Sequence, residues 1–331
     1  MPAPTGTVPL RSVQVAYETT RGTLKAATRV MPFISADMNI VEERQRRVET
    51  RASLVRYYKP PVTTKEYVEI NGMEVVPTFE ELPWYLGCAV KGGTVPGGTV
   101  DISSYTWTYL PTATSDNTYT ASFEIGSDTA SGSYKLNFGV LNRFEFGWDN
   151  NGPVTQSMDW LFSTKAQGSI TGALTAATSE EIAAVNALAY IDTSTIGTTA
   201  VVEPQSFKFS IDNKFMQLWA PNGNAYPVDV YRSEPRSMSC EMTAVFTSAT
   251  EYAAYLAGTY RKIRLLINGT TIGATTAKKQ LIIDWYGYWD TAPQTSTDGL
   301  VQARFNGDSV YDTTAGGDFS ITVRNGVTSY T

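Results

Sequence analysis

Along most of the chain, apolar and polar residues alternate with a period of two or gather in short apolar runs, the pattern of strands with one buried face. SYTWTYL (104–110) sets Tyr105, Trp107 and Tyr109 on one face, and RFEFGW (143–148), QSFKFSI (205–211), KQLIIDWYGYW (279–289) and DFSITVRN (318–325) read the same way. Asn-Gly pairs begin at 71, 151, 222, 268, 306 and 325. Each can supply the positive φ that a tight hairpin demands. Helical windows are few. EELPWYLG (80–87) and EYAAYLAG (251–258) read as short amphipathic helices, and TSEEIAAVNALA (178–189) as a third, with Thr178 or Ser179 as cap and Glu181 facing the N-terminal dipole. The pattern predicts a β protein with a little helix.

The first two helical windows echo each other. Glu81, Tyr85 and Leu86 match Glu251, Tyr255 and Leu256 at a spacing of 170 residues, about half of the 331-residue chain. Their flanks agree. Residues 37–76 hold two long alternating stretches around YYKPPVTTKEY, and residues 205–246 hold two more around WAPNGNAYPVD. The approaches to the helices, MEVVPTFEEL (73–82) and MTAVFTSATEY (242–252), are also alike, with Thr78 and Ser248 or Thr250 as caps. Each half therefore reads as a long hairpin, a short helix and further strands. A second echo, NRFEFGWDN (142–150) against QSFKFSIDN (205–213), has a spacing of 63 that does not fit this register. It reads as convergent strand chemistry or a reused hairpin.

Length supports division, since 331 residues exceed the size at which one core usually keeps growing. The expected organisation is an arm over 1–36 and β domains over 37–178 and 179–331. With 42% apolar and 18% charged residues, the chain is that of a folded, soluble protein. No apolar run is long enough to span a bilayer as a helix. The opening MPAPTGTVPLRS lacks the basic-then-apolar pattern of a signal peptide, so the expectation is synthesis and retention in a cytoplasm. Cys88 and Cys240 form no CxxC pair and read as buried free thiols.

The sequence contains no histidine. This removes the usual general base, the imidazole of a nucleophilic triad and the commonest zinc ligand. Phosphate-cradling glycine loops and the GxSxG elbow are also missing. Carboxylate chemistry of the glycosidase type survives, with Glu42 and Glu43, Glu80 and Glu81, and Glu180 and Glu181 as candidates by residue type. Adjacent side chains diverge on a strand and do not converge on a helix, so all three pairs read as solvated surface. No catalytic residue, cofactor or metal site is expected.

Four stretches carry a resemblance: YETTRGTLKAATRVMPF (17–33), EINGMEVVPTFEELPWYL (69–86), YKLNFGVLNRFEFGWDNNGPVTQSMDWLFS (134–163) and DGLVQARFNGDSVYDTTAGGDFSITVRNGV (298–327). In their order and overall pattern the chain resembles the two-domain tail tube proteins of long-tailed bacteriophages. The resemblance implies a mainly β fold, with a β-sandwich or partly closed barrel in each half, a flanking helix, and a long hairpin that joins neighbouring subunits into a ring. Stacked rings make the hollow tube through which the genome leaves the capsid. Single-domain relatives form six-membered rings, so a duplicated chain implies rings of three copies. Implied partners are the chain itself, a tape measure protein and the tail terminator and distal tail proteins. Double-stranded DNA passes without specific binding, and the implied location is the virion tail, assembled in a bacterial host. If each of six domain positions gives about four strands, a barrel of about 24 strands has a backbone diameter near 50 Å, wide enough for duplex DNA.

Charge agrees with a conduit. The formal net charge is −6, where a DNA binder carries a basic footprint. Its distribution is uneven: residues 1–60 sum to +5 and the remainder to −11. Arg44, Arg46, Arg47, Arg51 and Arg56 dominate the basic end and are the expected assembly contacts, since a head-to-tail interface pairs unlike surfaces. Two alternatives remain. A carbohydrate- or receptor-binding sandwich would use aromatic platforms such as Trp107 with Tyr105 and Tyr109, or Trp285 and Trp289 with Tyr286 and Tyr288. A carboxylate glycosidase would use a pair of acids.

Overall fold

The computed structural model describes residues 11–330 except 50–56, 59, 93–96, 102, 112–113, 115–117, 127–131, 150–151, 202–203, 246–248 and 298. The chain is mainly β, 55% strand against 6% helix, as its alternation requires. Strands β1 (Ser12–Tyr17) and β2 (Arg29–Met31) come first. A long hairpin follows, formed by β3 (Met38–Gln45) and β6 (Val62–Val75), with a two-stranded extension, β4 (Val48–Glu49) and β5 (Tyr57–Tyr58), at its tip. Helix α1 (Leu82–Ala89) leads to β7 (Gly97–Asp101), β8 (Ser104–Tyr109), β9 (Ala121–Gly126), and the hairpin of β10 (Tyr134–Trp148) with β11 (Thr155–Gln167).

After β12 (Ala187–Asp192) and β13 (Ala200–Val201) the same motif returns. A hairpin of β14 (Pro204–Asp212) and β17 (Ser237–Val245) carries β15 (Phe215–Leu218) and β16 (Asp229–Arg232) at its tip and leads into helix α2 (Thr250–Leu256). Strands β18 (Arg261–Thr271), β19 (Lys278–Gly287), β20 (Gln294–Thr297), β21 (Leu300–Asp308) and β22 (Phe319–Asn325) complete the chain.

Two antiparallel sheets dominate. One contains the path β3-β6-β11-β10-β14-β17-β21-β20, with β9, β1 and β2 branching from the start of β10. The other runs β13-β12-β18-β19-β22-β8-β7. Neither closes into a barrel among the described strands. Both draw strands from either side of residue 178, and one continuous core of buried side chains joins them. Within residues 1–36, Ser12–Tyr17 form a buried strand paired with β9.

Helix α1 lies between the two sheets. Tyr17 donates to the carbonyl of Trp84 at 2.6 Å from one sheet, and Tyr109 donates to that of Pro83 at 2.7 Å from the other. All eight of its residues are buried, so it is not amphipathic. Leu82, Trp84, Tyr85 and Leu86 are apolar around the whole helix, and Pro83 in its first turn lacks an N–H that would have no partner there. In α2 only Ala254 is buried. Thr78 accepts the Glu81 amide at 3.2 Å ahead of α1. Thr250 is the first residue of α2, and Ser248 lies outside the described residues.

The window 178–189 is not a helix. It holds a single 3-10 turn, Ala184–Asn186, and then β12, because Ala189 and Ile191 alternate into the core. Several Asn-Gly pairs also sit inside strands instead of hairpin turns. Asn71-Gly72 makes a bulge in β6 with Gly72 at φ 67°, while Asn268-Gly269 and Asn306-Gly307 lie within β18 and β21. A Cβ on Gly307 would fall 2.0 Å from the carbonyl oxygen of Tyr288, so close strand approach explains that glycine.

Candidate assembly surface

The eight-strand path consists of one four-strand arrangement used twice. In β3-β6-β11-β10, the second strand of the long hairpin pairs with a later hairpin; β14-β17-β21-β20 repeats this, and β10 pairs with β14 to join the two. The two segments of the echo with spacing 63 meet at this joint. Phe144 lies opposite Ile211, Phe146 opposite Phe209 and Trp148 opposite Phe207, so the two similar segments are adjacent strands of one sheet.

Strand alternation gives this sheet two unlike faces. One buries Phe144, Phe146, Phe207, Phe209, Met238, Cys240, Met242 and Phe305. The other carries Arg143, Glu145, Ser157, Asp159, Lys208, Ser210, Glu241, Thr243 and Arg304, with Glu69 and Glu74 from β6 and Asp308 from β21. Carboxylates outnumber cations here, and each cation sits beside a carboxylate. Lys208 lies 3.2 Å and Arg304 2.6 Å from Glu145 and Glu241 respectively, and Arg143 also bonds Glu145. A shallow open cleft of about 540 Å³ runs over this face, lined by Glu145, Trp148, Lys208, Glu241 and Arg304 among others.

Beyond the sheet, the long hairpins continue as extensions. β15 and β16 turn one side, Phe215 and Val230, onto Phe138 and Val140 of β10, leaving Met216, Leu218 and Tyr231 exposed on the other. The connecting loop crosses the first hairpin, where the Glu66 amide donates to Ala225 at 2.7 Å and Trp219 lies edge-on to Tyr67. Lys165 bonds both Glu66 and Glu42. Burial opposes its charge, but these two carboxylates outweigh burial and raise its pKa. Arg44 bonds Glu42, and the side-chain hydrogen bond from Arg44 together with that from Lys165 lowers the pKa of this exposed acid.

A family model described as phage tail tube protein matches residues 10–309, a span that includes both four-strand arrangements. The chain belongs to the phage tail tube protein family. No curated protein matches it significantly. As a tail tube protein it is a structural component of the virion, built to assemble with itself and with other tail components. No described helix is long and apolar enough to cross a membrane.

The tail tube chain distributes the sequence-derived candidates unevenly. Arg44, Arg46 and Arg47 are exposed at the far end of the first hairpin, whereas Arg51 and Arg56 lie outside the described residues. Glu42 and Glu43 are exposed as expected, but Glu80 and Glu81 are buried, at 7% and 3% exposure. Glu80 bonds Lys279, which also meets Glu180 at 3.0 Å, so the acids serve as clamps between distant segments. Trp107, Trp285 and Trp289 are buried and supply no platform for a sugar. Cys88 and Cys240 are free and buried. What sequence reading missed was the polar sheet face, because its signal is the set of residues between the apolar ones, spread over six strands.

Proposed function

We propose that three copies of this tail tube protein close into a ring of pseudo-sixfold appearance, and that stacked rings form the conduit for phage DNA. The observation that carries this reading is the twofold use of a four-strand arrangement within one continuous antiparallel sheet. Each chain then fills two of six equivalent positions, and three chains supply about 24 strands to a common barrel. On this reading residues 37–178 and 179–331 are the products of a duplication, held together by the strands they share.

The sheet needs its apolar face toward the rest of the chain, which leaves the polar face for the lumen. That face suits passage because its cations are already neutralised by neighbouring carboxylates and its surplus charge repels phosphate. A tape measure protein would occupy the lumen before ejection, and terminator and distal tail proteins would cap the ends. Assembly would take place in the bacterial host cytoplasm, with Arg44, Arg46, Arg47, Arg51 and Arg56 as contacts between copies. Electron microscopy of the purified chain tests the proposal. Tubes with three chains per ring are expected; rings of six full-length chains would refute the role given to the duplication, and a persistently monomeric chain would refute the tube.

A further inference from the structure

The joint between β10 and β14 exists inside one chain, yet on the tube reading the same joint must also occur between chains. Among the described residues no strand pairs with the outer edge of β3 or of β20. Unpaired edges expose rows of N–H and C=O groups and invite another strand. We infer that β20 of one copy pairs antiparallel with β3 of the next, in the register already used by β10 and β14. This places Gln294 opposite Met38, Thr295 opposite Asp37 and Ser296 opposite Ala36 of the neighbouring copy. The inference rests on the tube reading and gives it a residue-level contact.

The register follows from equivalent positions. Met73 and Met242 each lie near the end of the long hairpin's second strand, and each pairs with a buried residue, Met158 or Phe305. Two residues further on, Val75 pairs with Gln156 and Ala244 with Ala303; beyond these lie Phe146 and Gln294. Phe146 and Gln294 are thus equivalent. Going back from the methionines past the bulge at Gly72, the next buried residues are Ile70 and Cys240, whose partners are Met38 and Phe209. Met38 and Phe209 are equivalent too. Phe146 faces Phe209 inside the chain, so Gln294 faces Met38 between chains.

Hydrogen-bond phase provides an independent check. In an antiparallel strand alternate residues direct both backbone groups to the same side. The Pro293 carbonyl accepts from the Arg304 amide at 3.0 Å, so it points inward and the N–H and C=O of Gln294 point outward. Ser35 exchanges bonds with Glu74, so Ala36 and Met38 point outward. The Ala36 carbonyl already collects the Arg11 guanidinium at 2.8 Å on that edge. The derived register therefore pairs outward residues with outward residues, whereas a slip of one residue would not. The barrel geometry also closes. At the internal joint the row shifts by four residues, from the level of Ala244 to that of Cys240. A shift of four at every fourth strand gives a tilt of about 35° and a backbone diameter of about 45 Å for 24 strands, at the lower edge of the usual tilt range.

Cysteine cross-linking tests the register. Thr295 and Asp37 are both exposed, so Thr295→Cys and Asp37→Cys leave the core intact. As a pair not joined by backbone bonds they would stand about 4.5 Å apart at Cα, within disulfide reach. The native thiols, Cys88 and Cys240, are buried and do not compete. The double variant, assembled into tubes and mildly oxidised, is expected to give a covalent trimer on a non-reducing gel. Thr295→Cys combined with Asn39→Cys or with Ser35→Cys, each about 7–8 Å off across the diagonal, is expected to lose that band. Tubes that cross-link through one of these offset pairs would overturn the register. Tubes that cross-link through none of the three would overturn the edge pairing and leave the tube reading standing. Failure of the unsubstituted chain to form rings or tubes would remove both.

Discussion

Replacing Glu81 by Gln is expected to abolish a pH dependence of stability that the wild-type chain carries near neutrality. Glu81 is 3% exposed, and one of its carboxylate oxygens has no hydrogen-bond donor. The other accepts from the Thr78 hydroxyl at 3.4 Å. Burial pushes its pKa from 4.5 up to about 7; Glu80 adds to the rise, while Thr78 and Arg29 oppose it. Between those two values the folded chain holds a proton that the unfolded chain has released. Stability therefore falls as pH rises through this window and levels off above about 7. At about 1.4 kcal/mol per pH unit the loss is about 3 kcal/mol, or about 4 °C in Tm for a chain of this length. Glutamine has no proton to exchange, so its profile lacks this decline whatever its absolute stability. Urea unfolding of the monomeric chain at pH 5, 6, 7 and 8, followed by tryptophan fluorescence, measures both slopes. Parallel profiles for wild type and Glu81→Gln would refute the reasoning.

Other consequences can be measured separately. Tyr330 is 7% exposed, stacks edge-on to Trp107 and donates to the Glu80 carbonyl at 2.8 Å, so Tyr330→Ala is expected to cost about 3–5 kcal/mol in urea unfolding and Tyr330→Phe about 1–2. Asp192 and Asp312 are both lowered to about 2: burial opposes this, but hydrogen bonds from Thr198 and Gly197 and from Lys262 and Ala315 prevail. The stability they confer is complete above pH 4 and is lost as pH falls towards 2, a loss that an acid titration followed by circular dichroism shows and that Asp192→Asn reduces. Changing Arg44, Arg46 and Arg47 together to Glu is expected to preserve the β signal but impair tube formation, most strongly at low salt where screening is weak. Normal tubes at low salt would mark these arginines as solvated surface.

Much of the fold was legible because strands with one buried face advertise themselves. The alternations around Trp107, Phe144, Phe209 and Ile283 all became strands, and the hairpin-then-helix passages appear in both halves as read. The failures share a cause in tertiary context. Ala184–Asp192 has helical propensity, yet pairing with β18 overrides it. Glu80 and Glu81 look like surface because their partners, Lys279 and Thr78, are chosen by the fold and not by local sequence. Mixing of strands from both halves was also hidden, since nothing in SYTWTYL says that its partner lies beyond residue 318. The candidate surface was the least legible of all. Charge singles out Arg44 and its neighbours, whereas Glu145, Lys208, Glu241 and Arg304 meet only after four strands, β10, β14, β17 and β21, have been ordered.

The pairing of β8 with β22 sets a clock on biosynthesis. Thr108 and Thr322, which face each other across that pair at 3.3 Å, are separated by 214 residues. At about 5–20 residues per second, a ribosome needs about 10–40 s to supply the second strand after the first has emerged. Throughout that interval Trp107 has no Asn325 to receive its indole N–H and the seven-stranded sheet lacks the strand that links β8 to β19. A nascent chain, or one cut short by premature termination, therefore lacks a finished subunit's core. The sheet that holds one side of helix α1 is thus completed only by the last strand of the chain, β22.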